Sequence, residues 1–150
     1  MTACRIAMIG AGETGTPLLQ QLIDAPLFRY ELANGERRVR VSKDGKPSKT
    51  DWKVVERFKT ATLVHASPLS GRTHQIRVHM AYIGHPLLGD PCYSKCRNIL
   101  DKKITGQALH SHTLKLYHPI TGREMSFTAP LPDDMKHLLD ILRNKNGSEN

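Results

Sequence analysis

The sequence predicts an α+β fold, and three patterns support this class. Consecutive segments between residues 37 and 67 alternate polar and apolar residues, as strands with one buried face do. Short polar turns join these segments, which favours antiparallel pairing. Two later segments carry apolar residues at helical spacing. The chain of 150 residues is long enough for one domain with its own core, with or without an attached fragment.

Six segments are predicted to be strands. Most alternate polar and apolar residues, and the first is a short apolar run of the kind found in buried strands. The pairs Asn34-Gly35 and Asp44-Gly45 favour tight turns beside the second strand. The predicted strands cover residues 5–9, 37–42, 51–58, 62–67, 109–117 and 124–128.

Three helices are predicted, at residues 14–23, 73–83 and 132–145. The first has Leu18, Leu19 and Leu22 at helix-compatible spacing and ends before Pro26. Thr73 is expected to cap the second helix, which then ends at Gly84. The third helix begins at Pro132, and its apolar stripe consists of Met135, Leu138, Leu139 and Leu142.

The net charge of +8 favours a polyanionic partner. Most of the excess lies in residues 25–77, which hold 12 basic and five acidic residues. No apolar stretch approaches the roughly 18 residues that suggest a membrane span, and no secretory signal is evident at the N-terminus. Three cysteines are an odd and sparse set, typical of free thiols in a reducing compartment. We therefore expect a cytoplasmic protein with no membrane association.

A glycine-rich pattern follows the first predicted strand. Gly10, Gly12 and Gly15 fit G-x-G-x-x-G, and the stretch from Arg5 to Ile23 resembles the first β-α element of a dinucleotide-binding oxidoreductase. No second apolar strand suited to parallel pairing follows, and one β-α element cannot form the crevice that binds a dinucleotide. A remnant of an NAD-dependent oxidoreductase is therefore kept only as an alternative. We predict a β-α segment of separate origin at residues 1–24, a main domain at 25–145 and a disordered tail at 146–150.

The densest chemistry lies at the start of the second predicted helix. Arg72 and Arg77 carry forked cations suited to phosphate or carboxylate. His74 and Gln75 can read donors and acceptors on a base or a sugar. A helix N-terminus also attracts anions through its unpaired N–H groups. These side chains together predict a site for an anionic or nucleotide ligand.

At these residues the sequence resembles a known family, the RNA pseudouridine synthases that act on ribosomal large-subunit RNA. The resemblance covers residues from about 25 to 143 and matches only the carboxy-terminal part of the family's catalytic domain. It implies an α+β domain with a mixed, mainly antiparallel sheet and flanking helices. The stretches that carry it are residues 71–79 (GRTHQIRVH), 84–91 (GHPLLGDP), 108–110 (ALH), 116–119 (LYHP) and 44–47 (DGKP).

The resemblance also implies a reaction and roles for named residues. The family isomerises uridine to pseudouridine, without metal or cofactor, after extruding the nucleotide from its stack. An aspartate attacks, and an arginine matching Arg77 holds that carboxylate ionised. The implied partner is structured ribosomal RNA, and no obligate protein partner is expected. The RNA-binding residues would be Arg72, Thr73, His74 and Gln75, and Ile76 and Leu109 would line the pocket.

The sequence departs from the family at its most important residue. The His-Arg-Leu-Asp-type segment that holds the catalytic aspartate is absent, as is the tyrosine segment that follows it. Asp90 lies in a Gly-Asp-Pro loop, and we do not assign it as the nucleophile. We therefore expect Arg77 to lack a carboxylate partner and the chain to be inactive alone. A non-catalytic RNA-binding module is the first alternative, ahead of the oxidoreductase remnant.

A metal site is a weaker possibility. Cys92 and Cys96 have a metal-like spacing, and His85, His110 and His112 could complete a set of ligands. Because a single C-x3-C pair is a loose signal and the histidines match the family without a metal role, we predict no metal.

Overall fold

The computed structural model describes residues 2–10, 20–94 and 99–147. Within these ranges the chain forms eight strands, two α helices and one 3₁₀ helix. In chain order the elements are β1 (Thr2–Gly10), β2 (Gln20–Asp24), β3 (Leu27–Glu31), β4 (Arg37–Val41), β5 (Lys49–Arg57), β6 (Ala61–Pro68), α1 (Gln75–Tyr82), the 3₁₀ helix (Ile99–Lys103), β7 (Leu109–Tyr117), β8 (Glu124–Thr128) and α2 (Asp133–Gly147).

Six of the strands form one sheet in the order β2-β5-β6-β1-β7-β8, and β3 pairs with β4 in a separate ribbon. Every pairing among the described strands is antiparallel. β1 lies inside the sheet, where Met8 faces Leu63 of β6 and Ile6 faces His110 of β7. The α+β class, with an antiparallel sheet and flanking helices, is confirmed.

The sheet has one helix on each face because neighbouring residues of a strand point to opposite sides. On one face, Ile6, Met8 and Leu63 pack with the stripe of α2 and with the 3₁₀-helix residue Leu100. On the other face, Ala7, Ile9, Val64 and Trp52 pack with Ile76 and Met80 of α1. The predicted apolar stripe of α2 is completely buried: Met135, Leu138, Leu139 and Leu142 are all at most 2% exposed.

The six predicted strands each correspond to an observed strand, but the prediction at residues 14–23 is wrong where the structure describes it. Residues 20–24 form strand β2, which pairs with β5 so that Leu22 faces Asp51. Helical spacing of Leu22 with earlier leucines is outweighed by the main-chain hydrogen bonds that the edge of β5 offers. Leu22 is exposed and Ile23 is buried, as alternation along a strand requires. Residues 11–19, with Gly12, Gly15, Leu18 and Leu19, lie outside the described ranges.

β3 was not predicted, although its partner β4 was. The two strands pair from Leu27 opposite Val41 to Glu31 opposite Arg37. The Asn34-Gly35 turn joins them, and Gly35 has the positive φ of 85° that such turns favour. The sequence therefore contained the turn signal Asn34-Gly35, and a hairpin turn there implies a strand, β3, on the side opposite β4.

The first and last segments also differ from expectation. β1 pairs antiparallel with both neighbours, whereas a dinucleotide-binding element needs a parallel neighbour. At the other end, α2 continues to Gly147, past the expected limit of 145. Among the described helices, none is both long and apolar enough to cross a membrane.

Candidate functional site

The site begins in the loop between β6 and α1. β6 ends at Pro68, and α1 begins at Gln75 after a left-handed residue, His74, with φ 53°. His74 is thus the N-cap, without a side-chain capping hydrogen bond, and the prediction that Thr73 caps this helix is wrong. Thr73 is exposed. The left-handed turn directs the chain from the end of β6 into α1.

Gln75 fixes this loop to β5. Its side-chain oxygen accepts hydrogen bonds from the Arg72 N–H at 3.1 Å and from the Ser70 hydroxyl at 2.8 Å. Its amide nitrogen donates to the Lys49 carbonyl at 2.7 Å and to the Thr50 hydroxyl at 3.0 Å. Gln75 is only 4% exposed. Because both ends of the amide are used inside the protein, the geometry argues against the expected role of Gln75 in reading RNA.

Behind Gln75, a buried histidine joins α1 to the sheet. His79 is fully buried, and its Nδ1 lies 2.7 Å from the Thr50 hydroxyl while its Nε2 lies 2.9 Å from the Ala25 carbonyl. The carbonyl requires a donor, so Nε2 carries the proton and Nδ1 accepts from Thr50. Burial lowers the pKa of His79, which keeps the ring neutral.

Arg77 has a carboxylate partner in its own chain. Its Nε donates to Asp90 at 2.9 Å and its Nη2 donates to the other Asp90 oxygen at 2.8 Å. The Asp90 carboxylate also accepts from the backbone N–H groups of Cys92 and Tyr93, at 2.9 and 3.2 Å. The expectation that Arg77 would lack a carboxylate in this chain is therefore wrong. The partner lies 13 residues away, across the loop that follows α1.

Asp90 nevertheless does not have the position of a nucleophile. Its side chain is 0% exposed, and both oxygens receive hydrogen bonds from the protein. Those hydrogen bonds lower the pKa of Asp90 against the opposing effect of burial, and the same contact raises the pKa of Arg77. A carboxylate enclosed in this way fixes Arg77 and shapes the 90–93 turn, but it cannot reach a substrate atom.

Tyr93 extends this network to the ribbon of β3 and β4. Its hydroxyl accepts from the Val39 N–H at 3.1 Å and lies 2.7 Å from Nδ1 of His74. Its ring lies under the Arg77 guanidinium, 5.0 Å from the ring centre, as a cation–π contact requires. Burial and the nearby Arg77 lower the pKa of His74, so the imidazole is neutral and Tyr93 donates to it.

A cavity of about 280 Å³, here named the arginine cavity, opens beside these residues. Ile76 and Leu109, which were expected to line a pocket, do line it, and so do His74 and Gln75. Arg5 of β1 also contributes to its wall, although sequence reasoning did not identify it. The remaining described lining residues are Pro68, Ser70, Gly71, Arg72, Arg77 and Gln107.

A second cavity of about 440 Å³, here named the ribbon cavity, shares Gly71 and Arg72 with the first. Its other walls come from the β3–β4 ribbon, from the turn at residues 44–46 and from Thr73. Arg72 thus stands between two openings, held by its Nε, which donates to the Pro47 carbonyl at 3.2 Å. Arg29 and Lys46 add basic side chains to the ribbon cavity, against one acidic residue, Asp44.

Within residues 2–10, 20–94 and 99–147, no three histidine, cysteine, aspartate or glutamate side chains converge as a ligand set. Cys92 is a free thiol, and Cys96, the other half of the C-x3-C pair, lies outside the described ranges. His110 and His112 both contact the Ala129 carbonyl, which gives them a role in joining β7 to the segment after β8.

Comparison with known proteins gives a consistent family. A family model described as RNA pseudouridylate synthase matches residues 12–82, beginning inside the segment that was assigned a separate origin. Ribosomal large subunit pseudouridine synthase C of Pasteurella multocida is 44% identical over 131 residues, and the protein of that name from Escherichia coli strain K12 is 46% identical over 129 residues. These matches cover 85% and 81% of this chain, but the chain spans only about 40% of the length of each relative.

Solved structures agree on the fold. Human RNA pseudouridylate synthase domain containing 1 matches with a TM-score of 0.68 and 22% identity, over 95% of this chain and 65% of that one. Human RNA pseudouridylate synthase domain containing 4 matches with a TM-score of 0.72 and 24% identity, over 95% and 62%.

Proposed function

Because this chain belongs to the RNA pseudouridylate synthase family, we propose that its described part is the RNA-binding side of a uridine-isomerising domain that acts on ribosomal RNA. We further propose that isomerisation requires a carboxylate that the described residues do not bring to the arginine cavity. The observation that carries both statements is the wall of that cavity: three arginines and, among the described lining residues, no acid.

The charges of the arginine cavity favour a phosphate-bearing ligand. Asp90 neutralises Arg77, and the lowered pKa of His74 removes its charge at neutral pH. Arg5 and Arg72 are left as net cations, because no described carboxylate lies within 4.0 Å of either. A neutral ligand would leave these two charges unmatched, whereas an RNA strand supplies one negative charge per nucleotide.

The two cavities also fit an extended ligand better than a small one. They adjoin at Gly71 and Arg72, so a strand that enters the arginine cavity passes Arg72 and reaches the basic ribbon cavity. The aromatic side chain of Phe28 lines the ribbon cavity together with the basic residues Arg29 and Lys46. Basic and aromatic side chains in one groove are typical of single-stranded RNA binding.

The arginine cavity supplies part of what isomerisation needs. Ile76 and Leu109 present apolar surface for a base that has left its stack. Arg77 uses Nε and Nη2 for Asp90, so the bidentate contact occupies one edge of its guanidinium. Attack on the nucleotide, however, needs an accessible carboxylate, and Asp90 is enclosed. The catalytic aspartate must therefore come from outside the described lining of this cavity.

A tritium-release assay tests the catalytic part of the proposal. Isomerisation moves the glycosidic bond to carbon 5 of uracil, so tritium placed at that carbon is released as the reaction proceeds. We expect the purified chain to release no tritium from labelled large-subunit ribosomal RNA above a sample without protein. Turnover by the chain alone would show that its own residues supply the nucleophile.

A binding assay tests the RNA part. Fluorescence anisotropy with a labelled oligouridylate should show binding that weakens as salt rises. Arg72→Gln should reduce the affinity by about tenfold or more, because a charge-assisted contact contributes roughly 1.5–3 kcal/mol. Lys136→Gln is the matched control, since Lys136 is exposed on α2, on the opposite face of the sheet. Equal affinities of the two variants would contradict binding at the arginine cavity.

A further inference from the structure

Arg5 is a basic residue that strand β1 places in the arginine cavity, and β1 precedes the residues that match the family model. It lies on β1 between two partners, facing Ala66 of β6 and Ser111 of β7. Arg5, Ala7 and Ile9 alternate along the strand and share the face that packs on α1. The arginine therefore points to the same side of the sheet as Ile76 and Arg77, and it lines the cavity with them.

The strand pairing is irregular at this residue. The register between β1 and β7 shifts between Cys4 and Arg5, so that Cys4 faces Thr113 while Arg5 faces Ser111. One residue of β7 is thereby left over, which is the pattern of a β-bulge. Bulges are common beside binding and active sites because they change the direction of a side chain. Here the extra residue is His112 of β7, which lies opposite the step from Cys4 to Arg5 beside the cavity.

The hydrogen-bonding state of Arg5 is unusual for a guanidinium in a partly buried position. Its Nε is buried and donates to no described residue. A buried guanidinium nitrogen without a partner is costly, so an anion in the cavity that stabilises the Arg5 charge would be favourable. Arg72 lines the same cavity, also without a described carboxylate within 4.0 Å, so two uncompensated cations converge on one opening.

We propose that Arg5 is a phosphate-binding residue which, together with Arg72, holds a phosphodiester group of bound RNA in the arginine cavity. This inference rests on the proposed RNA-binding function and adds to it a residue from outside the segment that carries the family resemblance. A phosphate is the ligand that fits, because its oxygens accept from forked guanidinium groups and its charge matches theirs. The contact fixes the backbone of the nucleotide, while the base lies against Ile76 and Leu109.

The test compares Arg5→Gln with wild type and with Lys136→Gln by anisotropy with a labelled oligouridylate, over a series of salt concentrations. Each of the two variants removes one positive charge, but only the first removes it from the cavity. We expect Arg5→Gln to lower the affinity about tenfold. The slope of log affinity against log salt should also fall by about 0.7, the value for one lost contact to a single strand. Thermal unfolding of each variant checks that the fold is kept.

Chemical modification of the wild-type protein gives a second measurement that does not depend on a variant folding. Phenylglyoxal modifies accessible guanidinium groups, and mass spectrometry locates the modified residues. Bound oligouridylate should protect Arg5 while leaving Arg143, on α2, as reactive as in the free protein. Equal modification of Arg5 with and without RNA would overturn the proposal.

The outcomes separate this inference from the function on which it rests. If wild type binds no oligouridylate, the proposed function fails and Arg5 has no such ligand. If wild type binds, but Arg5→Gln matches Lys136→Gln in both affinity and salt slope, only the role of Arg5 is refuted. If Arg5→Gln alone loses affinity and slope, and Arg5 is protected in wild type, the assignment is supported.

Discussion

The pair between Arg77 and Asp90 provides the sharpest test of the structure. The side chains are 10% and 0% exposed, and two hydrogen bonds of 2.8 and 2.9 Å join them. Asp90→Asn keeps the shape but removes the negative charge, so Arg77 is left as a buried, unmatched cation. Breaking one partner of a buried pair costs about 3–5 kcal/mol. That is a large part of the roughly 5–15 kcal/mol by which a domain is typically stable.

Urea unfolding followed by far-ultraviolet circular dichroism measures this loss. The control is Glu56→Gln, which breaks the contact of Glu56 with Arg143 at 2.9 Å, where the side chains are 35% and 50% exposed. An exposed pair of this kind contributes about 0–1 kcal/mol. If Asp90→Asn loses no more stability than Glu56→Gln, the pair does not have the buried, compensating role assigned to it.

The pH dependence of the same comparison has a definite sign. The pKa of Asp90 is lowered in the folded protein. The stabilisation from its charge is therefore complete above the ordinary pKa of an aspartate, about 3.9, and is lost as pH falls through the lower folded-state pKa. The difference in stability between wild type and Asp90→Asn should shrink only in strong acid and stay constant around neutral pH.

Two further predictions concern backbone and protonation. Gly89→Ala should destabilise the fold more than Gly84→Ala: both have positive φ, which costs about 1–2 kcal/mol, but only at Gly89 would the new Cβ overlap the Gly106 carbonyl. Thermal unfolding of the two variants decides this. Because burial lowers the pKa of His79, stability should fall as pH drops below about 6.5, where the unfolded chain binds the proton. His79→Asn should reduce the slope of that profile, to which His74 also contributes, and an unchanged slope would refute the assignment.

The sequence predicted local features well because they depend on local periodicity. The stripe of α2 is an example, since Met135, Leu138, Leu139 and Leu142 determine both the helix and its buried side. β2 shows the limit of the same reasoning. Leu22 was placed in a helix on spacing alone, while the exposed edge of β5 offered hydrogen bonds that convert residues 20–24 into a strand.

The candidate site was predicted in part for the same reason. Residues 71–77 form a contiguous segment, so their common location followed directly from the sequence. The partner of Arg77 did not follow, because Asp90 reaches it only through the fold of the loop after α1. Arg5 could not be found either, since its place in the cavity depends on β1 lying between β6 and β7. Local sequence patterns do not determine the contacts between segments that are distant along the chain.

The central place of β1 has a practical consequence for manipulating this protein. A strand joins its neighbours through main-chain hydrogen bonds, which are largely indifferent to side-chain identity. Deleting residues 1–10 would divide the sheet into β2-β5-β6 and β7-β8 and leave two open edges facing each other. The deletion would also take Met8 out of the core on one face and Ala7 out of the core on the other, so truncation at this end of the chain disrupts the whole sheet and not one edge of it.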